Sequence, residues 1–330
     1  MLIHQFRHYL MAAVIVVILA GLVPVALQAE PVSLAVVQTE IDQEDFASLR
    51  TFTGMITRHV EEAVAMGADL VVFPEYLNVF LATVPYHQLI ADATSLAEGL
   101  HIIFSDPARP QSARELFVQQ APAVRRTMDR IYGRLADTHN IYILAGTYFA
   151  VDAGPAGNLA ELNRAESDDS QLRLTNRSVL YGPHGNAVHE QDKVFLTPIE
   201  EDLLELDAGR IADVHGIEVY GMDVGITICR DTFFPIWDEV HAERDLWIDL
   251  RAEGTAWEPG REDFTELMPE RLRESGSSYG ATAALTGEFL DLFWEGKSSV
   301  TAVQGSRPKI VAMTESHRGD EILVFELTAN

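Results

Sequence analysis

Three segments of this 330-residue chain each end a predicted strand in a residue capable of acid–base or covalent chemistry. Val71-Val72-Phe73-Pro74 leads into Glu75. Glu190-Gln191-Asp192 leads into Lys193, with Glu200 and Glu201 seven and eight positions on. Val224-Gly225-Ile226-Thr227-Ile228 leads into Cys229, which is followed by Arg230-Asp231. A carboxylate, an ammonium and a thiol in one crevice make a complete acyl-transfer site. The carboxylate takes the thiol proton, the thiolate attacks, and the ammonium meets the oxyanion of the tetrahedral intermediate. A thiol with an ordinary pKa of about 8.5 is mostly protonated at neutral pH and needs such neighbours. Each residue alone has a plainer reading: a capping acid, a snorkelling lysine, a small buried apolar group. What joins them is that all three close predicted strands, and α/β folds hold their ligands at strand carboxyl ends.

The elements that position them alternate. A β-branched run predicts a strand over 32–38. Phe46, Leu49, Phe52, Ile56, Val60 and Val64 recur at helical spacing up to Gly67, and 70–73 reads as a buried strand stopped by Pro74. A second helix is marked by Val124, Met128, Ile131 and Leu135, followed by a strand over 142–148. Residues 152–171 read as a polar, acidic loop. Strand pairs are predicted at 177–181 with 187–193 and at 217–220 with 224–229. A helix near 237–242, a strand at 246–250 and a helix near 266–275 follow. Short strands near 281–285, 298–303, 309–313 and 321–327 finish the chain. The pattern is α/β with covered sheet faces and no dividing linker.

Composition excludes several functions. Twenty-four Lys and Arg against 50 Asp and Glu leave a net charge of −26, which argues against a nucleic-acid partner. One cysteine makes no internal disulfide and no cysteine-rich metal site. The histidines show no paired metal spacing, and there is no phosphate loop or dinucleotide fingerprint, so neither a metal nor a cofactor is expected. Phe234 and Trp237 are candidates to line an apolar substrate pocket, with Tyr148 at the end of its strand a third. Asn176-Arg177-Ser178 is a glycosylation sequon.

Residues 1–29 read as a targeting segment: Arg7 in a short leading region, an apolar run, Pro24, and a small-residue exit at Ala29. Cleavage there gives a mature chain of 30–330 and a periplasmic or secreted protein. The alternative is a single uncleaved N-terminal membrane anchor, since the run is about long enough to span a bilayer.

The order Glu75, Lys193, Cys229 in these contexts resembles the nitrilase superfamily of carbon–nitrogen hydrolases. That family carries Pro-Glu after an apolar strand, Lys before Leu-x-Pro and an acid, and Cys-x-Asp or Cys-x-Glu after another strand. Arg271-Leu-Arg-Glu274-Ser275 resembles its Arg-Ala-x-Glu-Asn helix, and Gly296-Lys-Ser298 its Gly-x-Ser strand. The resemblance implies a four-layer α-β-β-α sandwich over 30–330 and homo-oligomers packed through an outer helix layer. It implies Glu75 as general base, Lys193 as oxyanion stabiliser and Cys229 as nucleophile. The second glutamate best matches Glu201, with Glu200 the alternative, and the backbone N–H of Arg230 completes the oxyanion hole. The expected substrate is a small-molecule amide rather than a nitrile. The alternatives are an N-acyltransferase with the same triad and a non-catalytic binding protein on the same scaffold. Phe195 stands where relatives often have histidine and Ser275 where they have asparagine, and both leave the substrate open.

Overall fold

The first strand, β1 (Val32–Ile41), carries apolar residues at consecutive rather than alternate positions, so both its faces need cover. The computed structural model, which describes residues 31–153, 172–258, 263–305 and 307–328, supplies a different layer on each side. Leu34 and Val36 face a core between two sheets, whereas Ala35 and Val37 face a layer of helices. The expected export segment at 1–29 and the acidic loop from 154 to 171 lie outside the described residues.

One sheet runs β5-β4-β3-β2-β1-β13, with β2 at Leu70–Val72, β3 at Tyr142–Ala153, β4 at Leu172–Tyr181, β5 at Ala187–Asp192 and β13 at Glu321–Leu327. The other runs β6-β7-β8-β9-β11-β12. Its strands are β6 (Ile217–Val219), β7 (Met222–Ile228), β8 (Leu246–Arg251), β9 (Tyr279–Phe289), β11 (Ser299–Gln304) and β12 (Arg307–Met313). A short β10 (Leu292–Trp294) hairpins onto β9. The sheets join where Thr39–Ile41 of β1 pairs in parallel with Leu285–Gly287 of β9. Their facing sides form one apolar layer, with Leu34, Val36, Leu70 and Val72 on one side and Ile226, Ile228, Ile248 and Leu250 on the other.

The outer helices complete four layers. Over the first sheet lie α1 (Leu49–Ala65), α2 (Leu96–Phe104), α3 (Ala113–Met128) and α4 (Arg134–His139). Over the second lie α5 (Ile236–Val240) and α6 (Asp263–Ser275), packed through Trp237, Trp247, Met268 and Leu272. The expected four-layer α-β-β-α sandwich is the fold. Helix α1 follows its sequence signal: Ser48 caps it in a box with Thr51, and Phe52, Met55, Ile56, Val60 and Ala63 face inward. Two elements exceed their signals. Helix α3 begins well before Val124 because buried Leu116, Val118 and Ala121 hold it despite Pro122. The strand expected at 281–285 is the eleven-residue β9, the hub that pairs with β8, β11, β10 and β1. Among the described residues no helix is long and apolar enough to cross a membrane.

Candidate active site

Glu75 is set by a tight approach of β2 and β3. Gly146 has φ +71°, and a Cβ there would lie 2.1 Å from the Pro74 carbonyl oxygen, so only glycine admits this spacing. The β3–β4 register shifts between Leu144 and Thr147, and Thr147 Oγ1 then accepts the Tyr76 N–H at 2.9 Å. Tyr76 itself takes φ +62°. This bend turns the Glu75 carboxylate into the protein, where it is fully buried.

Lys193 is the residue after β5. Its N–H donates to the Asn176 carbonyl at 2.8 Å and its carbonyl accepts from the Gly209 N–H at 2.7 Å. Cys229 follows β7 in a left-handed conformation, φ +49°, that a non-glycine residue adopts only when its surroundings impose it. The Asp249 carboxylate binds the Cys229 backbone N–H and also accepts from Thr232 Oγ1 at 2.9 Å. Asp231 ties the two loops together. Its Oδ1 accepts from Phe195 N at 2.7 Å and Val194 N at 3.1 Å, and its Oδ2 from Ile228 N at 3.3 Å.

These elements bring Glu75, Lys193 and Cys229 together. Lys193 Nζ lies 2.8 Å from Glu75 Oε1 and 2.8 Å from Glu200 Oε2. Glu200 also accepts from Tyr76 Oη at 2.7 Å, Thr197 N at 2.7 Å and Asn176 Nδ2 at 2.9 Å. Glu75 Oε1 takes a second bond, from Asn176 Nδ2 at 2.9 Å, while the buried Glu75 Oε2 is left without one of ordinary geometry. Cys229 Sγ sits 3.9 Å from the Ala252 carbonyl and the residue is 8% exposed.

The electrostatics separate the two acids. Burial pushes the Glu75 carboxyl up to about 7; Lys193 opposes the rise, Glu200 adds to it, and the Cys229 thiol opposes it. Glu200 is also penalised by burial, but the Lys193 ion pair and its N–H and hydroxyl donors hold it below the usual carboxylate range. Burial works against the Lys193 charge too, yet Glu75, Cys229 and Glu200 keep its pKa above that of an ordinary lysine. Burial and then the Glu75 charge raise the Cys229 thiol well above its ordinary value, against the pull of Lys193 and Arg251. Resting Cys229 is therefore a thiol beside a carboxyl poised near neutrality.

Several sequence expectations are corrected here. Glu201 is exposed on the turn and does not reach the lysine; Glu200, one residue earlier on Ile199–Leu203, is the buried acid. Tyr148 is 3% exposed but belongs to the helix-side core, its hydroxyl 3.4 Å from Arg125 Nη1. Strand alternation gives the site-facing places to Thr147 and Phe149, whose ring lies edge-on to Tyr76 at 6.0 Å. Trp237 is fully buried against Trp247 on the outer face of the second sheet, in the core rather than on a pocket wall. Phe234 and Arg230 lie at the Cys229 turn. Phe234 stacks on Phe195 at 3.8 Å, and the Arg230 guanidinium lies 5.9 Å from the Phe234 ring. The sequon asparagine, Asn176, is fully buried among the triad and is no place for a glycan. The matched Arg271 and Ser298 are structural: Arg271 pairs with Asp238 at 2.9 Å, and Ser298 Oγ accepts the Ala284 N–H at 3.0 Å.

Sequence reasoning missed Tyr76, Asn176 and Asp249. The signal was available in part, because Asn176 shares its buried face of β4 with Leu172, Leu174 and Leu180. Polar groups buried in a strand need partners.

Comparison with known proteins gives the family and the fold. The family model described as carbon-nitrogen hydrolase matches residues 33–260. No curated protein matches the sequence. Among solved structures, the amidase from Nesterenkonia sp. superposes with a TM-score of 0.60 at 18% identity, over 92% of this chain and 93% of that one. A variant of the amidase from Nesterenkonia sp. AN1, with acrylamide added at its active-site cysteine, gives 0.60 at 18% over 90% and 93%. Saccharomyces cerevisiae Nit3, a member of branch 10 of the nitrilase superfamily, gives 0.59 at 19% over 91% of each chain.

Proposed function

This chain belongs to the carbon–nitrogen hydrolase family, and we propose that it hydrolyses a small-molecule amide through a thioester on Cys229. The observation that carries the reading is the buried Glu75 carboxylate. Lys193 and Asn176 hold its Oε1, while its Oε2 is left without an ordinary partner in the chamber that holds the thiol. Glu75 takes the Sγ–H proton as sulfur attacks the carbonyl carbon. Lys193 Nζ and the Arg230 backbone N–H meet the oxyanion. Collapse of the tetrahedral intermediate breaks the C–N bond, and Glu75 returns its proton to the departing ammonia or amine. Water then attacks the thioester with Glu75 again as base, releasing a carboxylic acid and restoring the thiol.

An amide is preferred to a nitrile because the structures of like fold include an amidase, one with acrylamide added at its active-site cysteine. Incubation with a panel of primary and secondary amides, followed by mass spectrometry of the Cys229 peptide and of small products, tests the reading. An acyl adduct on Cys229 with a product acid supports it. An acylated amine in place of the acid indicates acyl transfer, and no adduct or product from folded protein overturns both. On the strength of residues 1–29 we further propose that the protein acts outside the cytoplasm. N-terminal sequencing of native material, with a start near Glu30 expected, tests that. A homo-oligomer, the arrangement expected of the family, is tested by light scattering.

A further inference from the structure

Asn176 sits at the centre of the triad with one amide and two carboxylates to serve. It lies on β4, opposite Phe149 of β3, and is fully buried. Its Nδ2 is 2.9 Å from Glu75 Oε1 and 2.9 Å from Glu200 Oε1. Ionised carboxylates only accept, so the amide has one orientation here: its two N–H groups go one to each acid, and Oδ1 faces away. Oδ1 is itself buried and without a hydrogen-bond partner, so the pose is held from the donor side alone. Asn176 also fixes Lys193 through its backbone, since its carbonyl accepts the Lys193 N–H at 2.8 Å.

We propose that Asn176 is a positioning residue for the base: it shares one amide between Glu75 and Glu200, so that Glu75 Oε1 is saturated and Oε2 alone is presented to Cys229. This rests on the assignment of Glu75 as base. With Lys193 and Asn176 both on Oε1, the carboxylate cannot rotate to offer that oxygen without breaking two charge-assisted bonds. Asn176 equally ties Glu200 in place, so the two acids hold Lys193 between them at fixed distances. The groups facing Glu75 are Lys193 from the end of β5, Glu200 from the turn after it, Cys229 from the end of β7 and its neighbour Tyr76. Asn176 is the neutral member of the set. Its N–H favours the ionised carboxyl without adding charge.

The test is the pH dependence of Cys229 alkylation by iodoacetamide in the parent, Asn176→Ala, Asn176→Ser and Asn176→Asp. Removing a donor to a carboxylate makes its charged form less favourable, so the acid limb of the labelling profile moves to higher pH. For Asn176→Ala we expect about one pH unit, roughly tenfold slower labelling on the limb at fixed pH. Asn176→Asp should shift it further by adding a third acid, and Asn176→Ser, which keeps one donor, should shift it less. Should the aspartate variant fail to fold, the alanine and serine pair still decides the order. A merely structural asparagine would lower thermal stability and leave the profile of the folded protein superimposable on the parent's, and that outcome overturns the proposal. Labelling needs no amide turnover. A parent that shows the shift series yet cleaves no amide would overturn the hydrolase reading and leave this one standing.

Discussion

Asp231 Oδ1 accepts the Phe195 backbone N–H at 2.7 Å, and through this bond the loop that carries the lysine is fastened to the turn that carries the nucleophile. The two residues lie 36 positions apart in sequence and belong to elements of different sheets. Burial pushes the Asp231 carboxyl up to about 7, against the N–H bonds from Phe195 and Ile228 and the charge of Lys193 that hold it down. Asp231→Ala strands three backbone N–H groups, those of Val194, Phe195 and Ile228. It should cost on the order of 2–4 kcal/mol, read by urea unfolding. It should also lower kcat in the folded fraction, because Lys193 then wanders. Unchanged unfolding and unchanged kcat would dismiss the latch.

Lys193→Met should lower kcat and kcat/KM together, by about 10²–10³ or more, since the charge it meets exists only on the tetrahedral intermediate. Steady-state kinetics on protein with a parental circular-dichroism spectrum decides this. A kcat within a few-fold of the parent would remove the lysine from the chemistry.

Activity should need an ionised Glu75, so kcat/KM should fall as pH drops through about 7. Glu200 raises the Glu75 pKa by like-charge repulsion. Glu200→Gln removes that repulsion, and the acid limb should move to lower pH while the maximal rate falls with the loosened lysine. A limb that stays put or moves up contradicts the electrostatic coupling of the two acids.

Tyr148→Phe should leave kcat/KM within about twofold of the parent, because among the described residues its hydroxyl meets Arg125, at long range on the helix side. Trp237→Ala should cost about 3–5 kcal/mol in unfolding free energy through the cavity it leaves. A substrate-dependent KM change in either variant would return it to the binding site.

Away from the site, Asp320, the residue before β13, clamps the start of that strand to α1 and β1. It pairs with Arg58 at 3.0 Å and His59 at 3.1 Å and accepts the Glu40 N–H at 2.8 Å. Against the upward push of burial, these partners hold its carboxyl at about 2, below the ordinary 3.8. A depressed carboxyl contributes stability above its unfolded pKa and loses it as pH falls through the folded value. Between pH 4 and 2 the parent should therefore lose more unfolding free energy than Asp320→Asn, by on the order of 1 kcal/mol. Parallel acid-unfolding curves would refute the clamp.

The triad was legible because each member follows a predicted strand, apolar for Glu75 and Cys229 and a hairpin arm for Lys193, and strand ends are marked by composition. The two-faced burial of β1 and β2 was legible for the same reason, as were the helical spacing of α1 and the hairpins around Gly182 and Gly221. The second glutamate was not. Spacing from Lys193 leaves Glu200 and Glu201 equivalent; the π turn at Ile199–Leu203 decides between them by turning one inward. Tyr148 was misplaced because its face depends on the bulge at Gly146, which shifts the β3–β4 register by means that no local pattern announces. Asn176 was read through its sequon, a surface signal, while its strand buried it.

Glu75 and Lys193 hang from one sheet and Cys229 from the other. The layer of Leu34, Val36, Ile226 and Ile248 between those sheets is thus a working part of the catalyst as well as a source of stability. A slip of one sheet on the other by a fraction of a residue would part base from nucleophile while every strand and helix stayed paired. Mild denaturant should therefore silence the enzyme before it melts: loss of turnover should precede loss of the far-ultraviolet signal, with thiol labelling falling in step with turnover.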